Sequence, residues 1–277
     1  MSHFALKVQN MSCGYGSKFH LSNMDFTIDQ GSFTSIIGPN GAGKTTLFRA
    51  ISGMLSIENG DIFLEGENLK TLSHKARARK IAIVNQSVEA GAMRIEDYVL
   101  MGRLPYRTPF SFFETKEDYE IAEENMRLTG VWEKRHKLMD QLSGGEQQLA
   151  AIARALTQKT NLLLLDEPTA HLDISHQMKV LNLVRRLNHE TKLTVLLIIH
   201  DLNLASEYSD QLIMLKEGTI FAQGTPEEVL TYNNIEEVYN TVVITRSNPM
   251  SGKPFIFPVS EVTLREDISK KTIQSAI

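Results

Sequence analysis

The spacing of hydrophobic residues changes several times along this 277-residue chain. Short β-rich runs bounded by turns stand at FALKV (4–8), SFTSIIG (32–38), GDIFLEG (60–66) and KIAIVNQ (80–86). The first hundred residues therefore predict several strands around one clear helix, 44–53. From about 87 to 159 the spacing is helical, in pieces near IEDYVLMG, KEDYEIAEENMRLTG and EQQLAAIARAL. LLLLD (162–166) then reads as a buried strand, 174–189 as a long amphipathic helix, and TVLLIIH (194–200) as a further strand. Strands alternating with helices predict a parallel sheet. The simplest architecture is an α/β core with a helical insertion, about 87–159, between its halves. We expect 1–240 to form one domain. Beyond it, TVVITRSNPMSGKPFIFPVSE predicts two strands around a Gly/Pro turn, part of a short appendage over 241–277.

Composition narrows the class. Hydrophobic residues make up 42% and charged residues 22%, as in ordinary globular proteins. A net charge of -4 argues against a nucleic-acid binder. The longest apolar runs are about five residues, as in VLLII (195–199), where a membrane span needs about 20. The chain is expected neither to cross a membrane nor to carry a secretory signal in MSHFALKVQN. Its one cysteine, Cys13, cannot form an internal disulfide, which fits a reducing compartment, and reads as a small apolar residue near the first strand.

The chemistry is concentrated in a few motifs. GPNGAGKT (38–45) fits G-x-x-x-x-G-K-[ST] between a strand and a helix. Gly38, Pro39, Asn40, Gly41, Ala42, Gly43, Lys44, Thr45 and Thr46 are the expected phosphate-binding set. Backbone N–H groups wrap the phosphates, Lys44 adds charge near the β- and γ-phosphates, and the Thr45 hydroxyl can ligate Mg²⁺. LLLLDEP (162–168) ends a buried strand with two carboxylates. Ligands of open α/β sheets sit at such strand ends. Asp166 is placed to hold Mg²⁺ through water, and Glu167 to act as general base. His200 reaches the same sheet edge, where it can contact the γ-phosphate and orient the water. Gln86, after KIAIV, either caps its strand or touches Mg²⁺ and the water while joining the core to the insertion. Tyr15 either stacks on an adenine ring or is a half-buried loop aromatic. His171 and His176, five apart, would not share a helix face.

QLSGGEQQLAAIARAL (141–156) adds a second anion site. Ser143 and two glycines open a helix, whose first N–H groups lack internal partners at the positive end of the dipole. A phosphate loop already stands about a hundred residues upstream.

Taken together, Tyr15, GPNGAGKT, Gln86, LSGGEQ, LLLLDEP, the loop AHLD (170–173) and His200 resemble, in order, an ATP-binding cassette (ABC) ATPase over roughly residues 4–230. The resemblance implies a P-loop NTPase core with an N-terminal antiparallel β-rich part and an inserted helical subdomain, using ATP and Mg²⁺. It also implies that two copies face head to tail, so that Ser143, Gly144 and Gly145 of one close on the γ-phosphate held by the other. The second anion site then serves the partner's ATP. Tyr15 becomes an adenine platform. Asp173, expected to cross the dimer interface, is kept, although the loop often written SALD is AHLD here, which leaves the contacts of His171 open.

LDISHQ (172–177), VLMGRLPYRTPF (99–110) and LLIIHDLNLA (196–205) look like ATPases of importers for iron–siderophore complexes, haem and cobalamin. The implied setting is the cytoplasmic face of the membrane, with permease subunits, an external substrate-binding protein acting indirectly, and no nucleic acid. An iron–siderophore is the leading substrate, with molybdate, haem and cobalamin as alternatives. An exporter would share every catalytic residue. A soluble ABC protein acting on DNA or ribosomes would carry a coiled-coil insertion or two cassettes, and a P-loop kinase would have no use for LSGGEQ. Met101, Leu104, Tyr106, Phe110, Phe112 and Phe113 either form the core of the insertion or line a groove for a short cytoplasmic helix of a membrane subunit, because Pro105 and Pro109 break the segment.

Overall fold

The computed structural model describes residues 4–16, 19–88, 90–108, 113–260 and 262–263. Strands β1 (Phe4–Gly14) and β2 (His20–Asp29) precede β3 (Phe33–Ile37), which feeds helix α1 (Lys44–Ile51). Next come β4 (Asn59–Leu64), β5 (Glu67–Asn68), a short α2 (His74–Ala78) and β6 (Ile81–Val84). Three helices follow, α3 (Ile95–Leu100), α4 (Lys116–Thr129) and α5 (Gly144–Thr157). The chain then alternates through β7 (Leu162–Asp166), α6 (Ile174–Thr191), β8 (Thr194–Ile198), α7 (Leu202–Tyr208) and β9 (Gln211–Lys216). It ends with β10 (Thr219–Gly224), α8 (Pro226–Val229), α9 (Tyr232–Tyr239), β11 (Val243–Ser247) and β12 (Pro254–Pro258).

A six-stranded sheet in the order β10-β9-β3-β8-β7-β6 forms the centre. Its strands are parallel except β10. An antiparallel sheet, β2-β1-β4-β5, lies over one face. Side chains of the central strands alternate between two cores. Leu162, Leu164, Leu196 and Ile198 join α1 and the antiparallel sheet. Leu163, Leu165, Val195 and Leu197 join α3 to α7. Because the central strands are covered on both faces, they read as unbroken apolar runs.

The sequence reading missed β2, β9 and β10, and α2 adds a second helix to the first eighty residues. In β2 only Met24, Phe26 and Ile28 keep strict alternation. The edge strand β10 alternates exposed with half-buried residues, so its apolar signal is weak. Cys13 lies buried within β1, and burial pushes its thiol up to about 11. Among the described residues no helix is long and apolar enough to cross a membrane.

Helix boundaries follow from capping chemistry. Thr115 and Asp118 form a reciprocal capping box on α4, which stops at Gly130 with φ 77°. α3, α4 and α5 pack on one another, and a buried ion pair ties them together. Arg103 Nε donates to Asp118 at 2.7 Å, and its Nη1 to the Thr157 carbonyl at 3.1 Å. The hairpin β11–β12 docks on α7. Asn203 bonds both backbone groups of Ile256, and Lys253 Nζ donates to the carbonyls of Glu207 and Ser209 at the helix end.

Burial alone would raise the pKa of Asp118, but the bonds from Arg103 and Thr115 outweigh it and hold the carboxyl below its ordinary range. Its stabilising contribution is therefore present at neutral pH and is lost as pH falls through the depressed folded value. Arg103→Ala leaves this carboxylate buried and unpaired. Urea unfolding at pH 7 should show a loss of about 3–5 kcal/mol. The loss should shrink in acid, where Asp118 is neutral.

Candidate active site

At the carboxyl end of β3 the chain turns into α1 through Gly38, Gly41 and Gly43, with φ of 148°, 81° and 107°. These values favour glycine. The loop is braced from its neighbours. The Ala42 carbonyl accepts from Gly218 N–H at 3.1 Å, and a Cβ on Gly38 would lie 2.5 Å from the Leu215 carbonyl oxygen. Lys44 is buried, and its ammonium donates to the carbonyls of Gly38 and Pro39 at 2.8 and 3.0 Å. Burial lowers its pKa, against the pull of Glu167 and Asp166.

The next two strands bring acidic and basic groups to the same edge. Asp166 closes β7, and burial, then the charge of Glu167, raises its pKa. Glu167 has a left-handed backbone at φ 47°, and its N–H donates to the Ile198 carbonyl at 3.1 Å. That turn swings the carboxylate between two partners. Gln86 Nε2 donates to Oε2 at 2.9 Å, and His200 Nε2 lies 2.5 Å from Oε1. An ionised carboxylate only accepts, so Nε2 carries the histidine proton. Two strand-end residues, Gln86 and His200, thus converge on the carboxylate of a third.

A cavity of about 350 Å³ opens beside them, lined by Phe19, Asn40, Gly41, Gly43, Lys44, Thr45, Thr46, Glu167 and His200. Phe19 was not anticipated. Its ring lies 2.8 Å from where a Gly43 Cβ would stand. Its sequence signal is only an aromatic in the β1–β2 turn. Tyr15, in the same turn, is 44% exposed and accepts a bond from Arg49 Nη1 at 3.1 Å.

The helix start at Ser143 stands elsewhere on the surface. Ser143 caps α5 in a reciprocal box with Glu146, with Ser143 and Gly144 exposed and Gly145 buried. The Glu146 carboxyl falls to about 2, first through its bond from Lys134 and then through Ser143 N–H. Asp173 caps α6. The backbone N–H of His176, then its ring, holds Asp173 below the usual carboxylate range. His171 has φ 63°. In this single chain Ser143 lines no part of the nucleotide-sized cavity.

The family model described as "ABC transporter" matches residues 21–170. Curated relatives match almost end to end. The ferric enterobactin transport ATP-binding protein FepC of Escherichia coli (strain K12) is 38% identical over 255 residues, 92% of this chain and 94% of that one. The chain belongs to the ABC transporter family. The iron(3+)-hydroxamate import ATP-binding protein FhuC of Bacillus subtilis (strain 168) is 36% identical over 90% of this chain and 93% of its own. Among solved structures, a metal-chelate type ABC transporter in an inward-facing conformation superposes with a TM-score of 0.82 at 25% identity, covering 94% of this chain and 99% of that chain. The dimeric bacterial ABC transporter cassette MJ0796 superposes at 0.70 with 29% identity, covering 79% and 98%.

This ABC ATPase carries a further groove, of about 600 Å³, between its two halves. Gly53 and Met54 after α1, His74 and Arg77 of α2, and Ile81 and Ile83 of β6 form one wall. Met101, Gly102, Arg154 and Gln158 form the other. A second cavity of about 390 Å³ shares Met101 and Arg154 and extends to Asn85 and Ser87, the residues flanking Gln86. Tyr106, read as either core of the insertion or groove lining, is tied to the neighbouring elements. Tyr106 is held inward, its hydroxyl donating to the Gln158 carbonyl at 2.9 Å and its ring covered by Arg103 at 4.0 Å and Arg79 at 5.1 Å. The ring is half-buried beneath these two guanidiniums. Phe110 and Phe112 lie outside the described residues. Met54, Met101, Leu104 and Phe113 are exposed.

The phosphate loop supplies a graded test. Gly38→Ala combines a left-handed φ with a backbone oxygen that cannot yield. Gly41→Ala meets nothing within 4 Å and carries only the φ strain. The first should displace the loop and weaken nucleotide binding severely. The second should lower stability by about 1 kcal/mol with binding largely retained. Thermal unfolding and nucleotide titration would distinguish them.

Proposed function

We propose that this chain is the ATP-hydrolysing subunit of a ferric siderophore importer, acting as a head-to-tail dimer on the cytoplasmic face of the membrane. One observation carries the hydrolytic reading: the Glu167 carboxylate, held by Gln86 and His200, beside a phosphate loop. We take 1–240 as the ATPase unit and 241–277 as its appendage.

In this reading ATP phosphates lie in the loop 38–46, on the backbone N–H groups of its residues other than Pro39, with the adenine against Tyr15. Arg49 fixes the Tyr15 hydroxyl, which leaves the ring to face the base. Mg²⁺ fits the set Thr45, Gln86 and Asp166, because all offer hard oxygen donors. Burial first, and the Glu167 charge second, raise the pKa of Asp166, and a cation there would favour its ionised form. When bound, the ion neutralises phosphate charge. Glu167 takes the proton of the attacking water. A carboxylate has about four lone-pair sites, so it can keep both partners and still accept from water. Gln86 and His200 fix its orientation. Ser143, Gly144 and Gly145 of a second copy present their helix start to the γ-phosphate, and Asp173 lies in the same contact. The dimeric MJ0796 cassette supports this arrangement.

The groove between the halves suits a short cytoplasmic helix of a permease. Its continuation to Asn85 and Ser87 offers a route from the membrane subunit to Gln86. The names of the relatives support the substrate, a ferric chelate delivered to the permease by an external binding protein.

Glu167→Gln keeps the side-chain volume and the phosphate loop but removes the base. Hydrolysis should fall by about 10²-fold or more while ATP binding persists. Light scattering should then show an ATP-dependent dimer. Wild-type turnover would remove Glu167 from its role.

Met54→Glu with Met101→Glu should release the protein from permease-containing membranes without changing ATP affinity in solution. Burying each methionine contributes about 1.5–3 kcal/mol to docking. Deleting the gene should abolish uptake of radiolabelled ferric siderophore. Intact siderophore uptake with lost molybdate, haem or cobalamin uptake would overturn the substrate and retain the mechanism.

A further inference from the structure

LSGGEQ and LDISHQ meet most closely at one side chain. His176 is the third residue of α6, and its backbone N–H donates to Asp173 Oδ1 at 2.8 Å. Its ring turns back over the same cap, placing Nδ1 3.0 Å from Oδ1 and 2.9 Å from Oδ2. Because a carboxylate only accepts, Nδ1 carries a proton and the ring orientation is fixed. Fixed in this way, the ring lies against the start of α5. A Cβ built on Gly145 would stand 2.4 Å from His176 Cδ2 and 2.8 Å from Cγ. Gly145 has helical backbone geometry and no positive φ, so conformational freedom does not account for glycine here. The imidazole does. Gly144 faces only Leu172 of the same loop, at an ordinary 3.7 Å. The second glycine of LSGGEQ and the histidine of LDISHQ therefore form one steric unit.

We propose that His176 is a positioning residue that locks the LSGGEQ turn to the Asp173 loop, so that both meet the partner's ATP as a single rigid edge. The inference rests on the head-to-tail reading, in which Ser143 and Asp173 both belong to the dimer contact. Asp173 lies at one end of the link and Gly145 at the other, with the imidazole between them. Removing the ring leaves the cap bond from the His176 backbone intact but frees the two motifs to shift independently. Catalytic geometry tolerates little of this, since a misplacement of about 1 Å can cost about 10²-fold in rate.

The test is a double-mutant cycle on steady-state hydrolysis, with ATP affinity of the isolated chain as a second readout. His176→Ala should lower kcat about tenfold or more while ATP affinity and KM stay near wild type. His176→Asn, whose amide N–H replaces Nδ1–H toward Asp173, should recover most of that loss. Gly145→Ala should impair hydrolysis strongly alone and add little in the His176→Ala background, where its Cβ has room. Wild-type turnover in His176→Ala, or the same Gly145→Ala penalty in both backgrounds, overturns the role of His176. If His176→Ala loses ATP affinity through misfolding, His176→Asn decides, and failure to restore turnover in a folded, ATP-binding chain counts against the proposal. The underlying reading is checked separately with Glu167→Gln. No dimer in ATP means that the head-to-tail model fails, whereas dimers alongside fully active His176→Ala mean that only the positioning role fails.

Discussion

A parallel sheet covered on both faces can offer polar groups to a ligand only where its strands stop, and this constraint governs the molecule. Every residue between Leu162 and Leu165, and between Val195 and Ile198, is buried. The polarity withheld along those strands emerges together at Gln86, Asp166, Glu167 and His200. β6, β7 and β8 are neighbours in the sheet, so side chains 81 and 33 positions apart in sequence share one carboxylate. β3 lies on the far side of β8 and delivers the phosphate loop to the same edge. The left-handed turn at Glu167 is the local cost of aiming a carboxylate along that edge rather than into solvent.

The parts of this arrangement that could be read from the sequence are those fixed by local rules. Continuous apolar runs ending in DEP and HD mark buried strands with polar ends, and a Gly-rich turn between strand and helix marks a phosphate loop. The helix start at Ser143 could be read because a serine followed by glycines before a helical run suits only a few backbone geometries. Other features depend on where elements meet. Nothing near His176 indicates that α6 will approach the first turn of α5. Tyr106 carries the aromatic character expected of a docking residue. Its inward orientation is set by Arg103 of its own turn together with Arg79 and the Gln158 carbonyl, and the last two lie in distant segments. Phe19 enters the nucleotide cavity only because β2 lies beside the loop, and β2 was itself obscured by broken alternation.

The two halves differ in what binds them. Around the phosphate loop, backbone contacts such as Gly218 N–H to Ala42 and the close Gly38–Leu215 approach tolerate little movement. Within α3–α5, long side chains hold the helices, through Arg103–Asp118, Lys134–Glu146 and Arg154 over the Tyr98 ring. The two still share one buried core, in which Leu149 and Ile152 of α5 belong with Leu163 and Leu165 of β7.

Lys44 gives the site a form of selectivity that no single contact describes. Its ammonium already holds two carbonyls of its own loop, and hydrogen bonds to charged groups are worth about 1.5–3 kcal/mol each. An incoming anion must therefore exchange with bonds already made. A weakly charged solute recovers little more than it displaces, because the ammonium is already hydrogen-bonded from within. A polyphosphate tail brings enough charge to outbid the carbonyls and draw the lysine outward. The lysine's own bonds thus set a threshold for a ligand, favouring high charge density before any base is recognised.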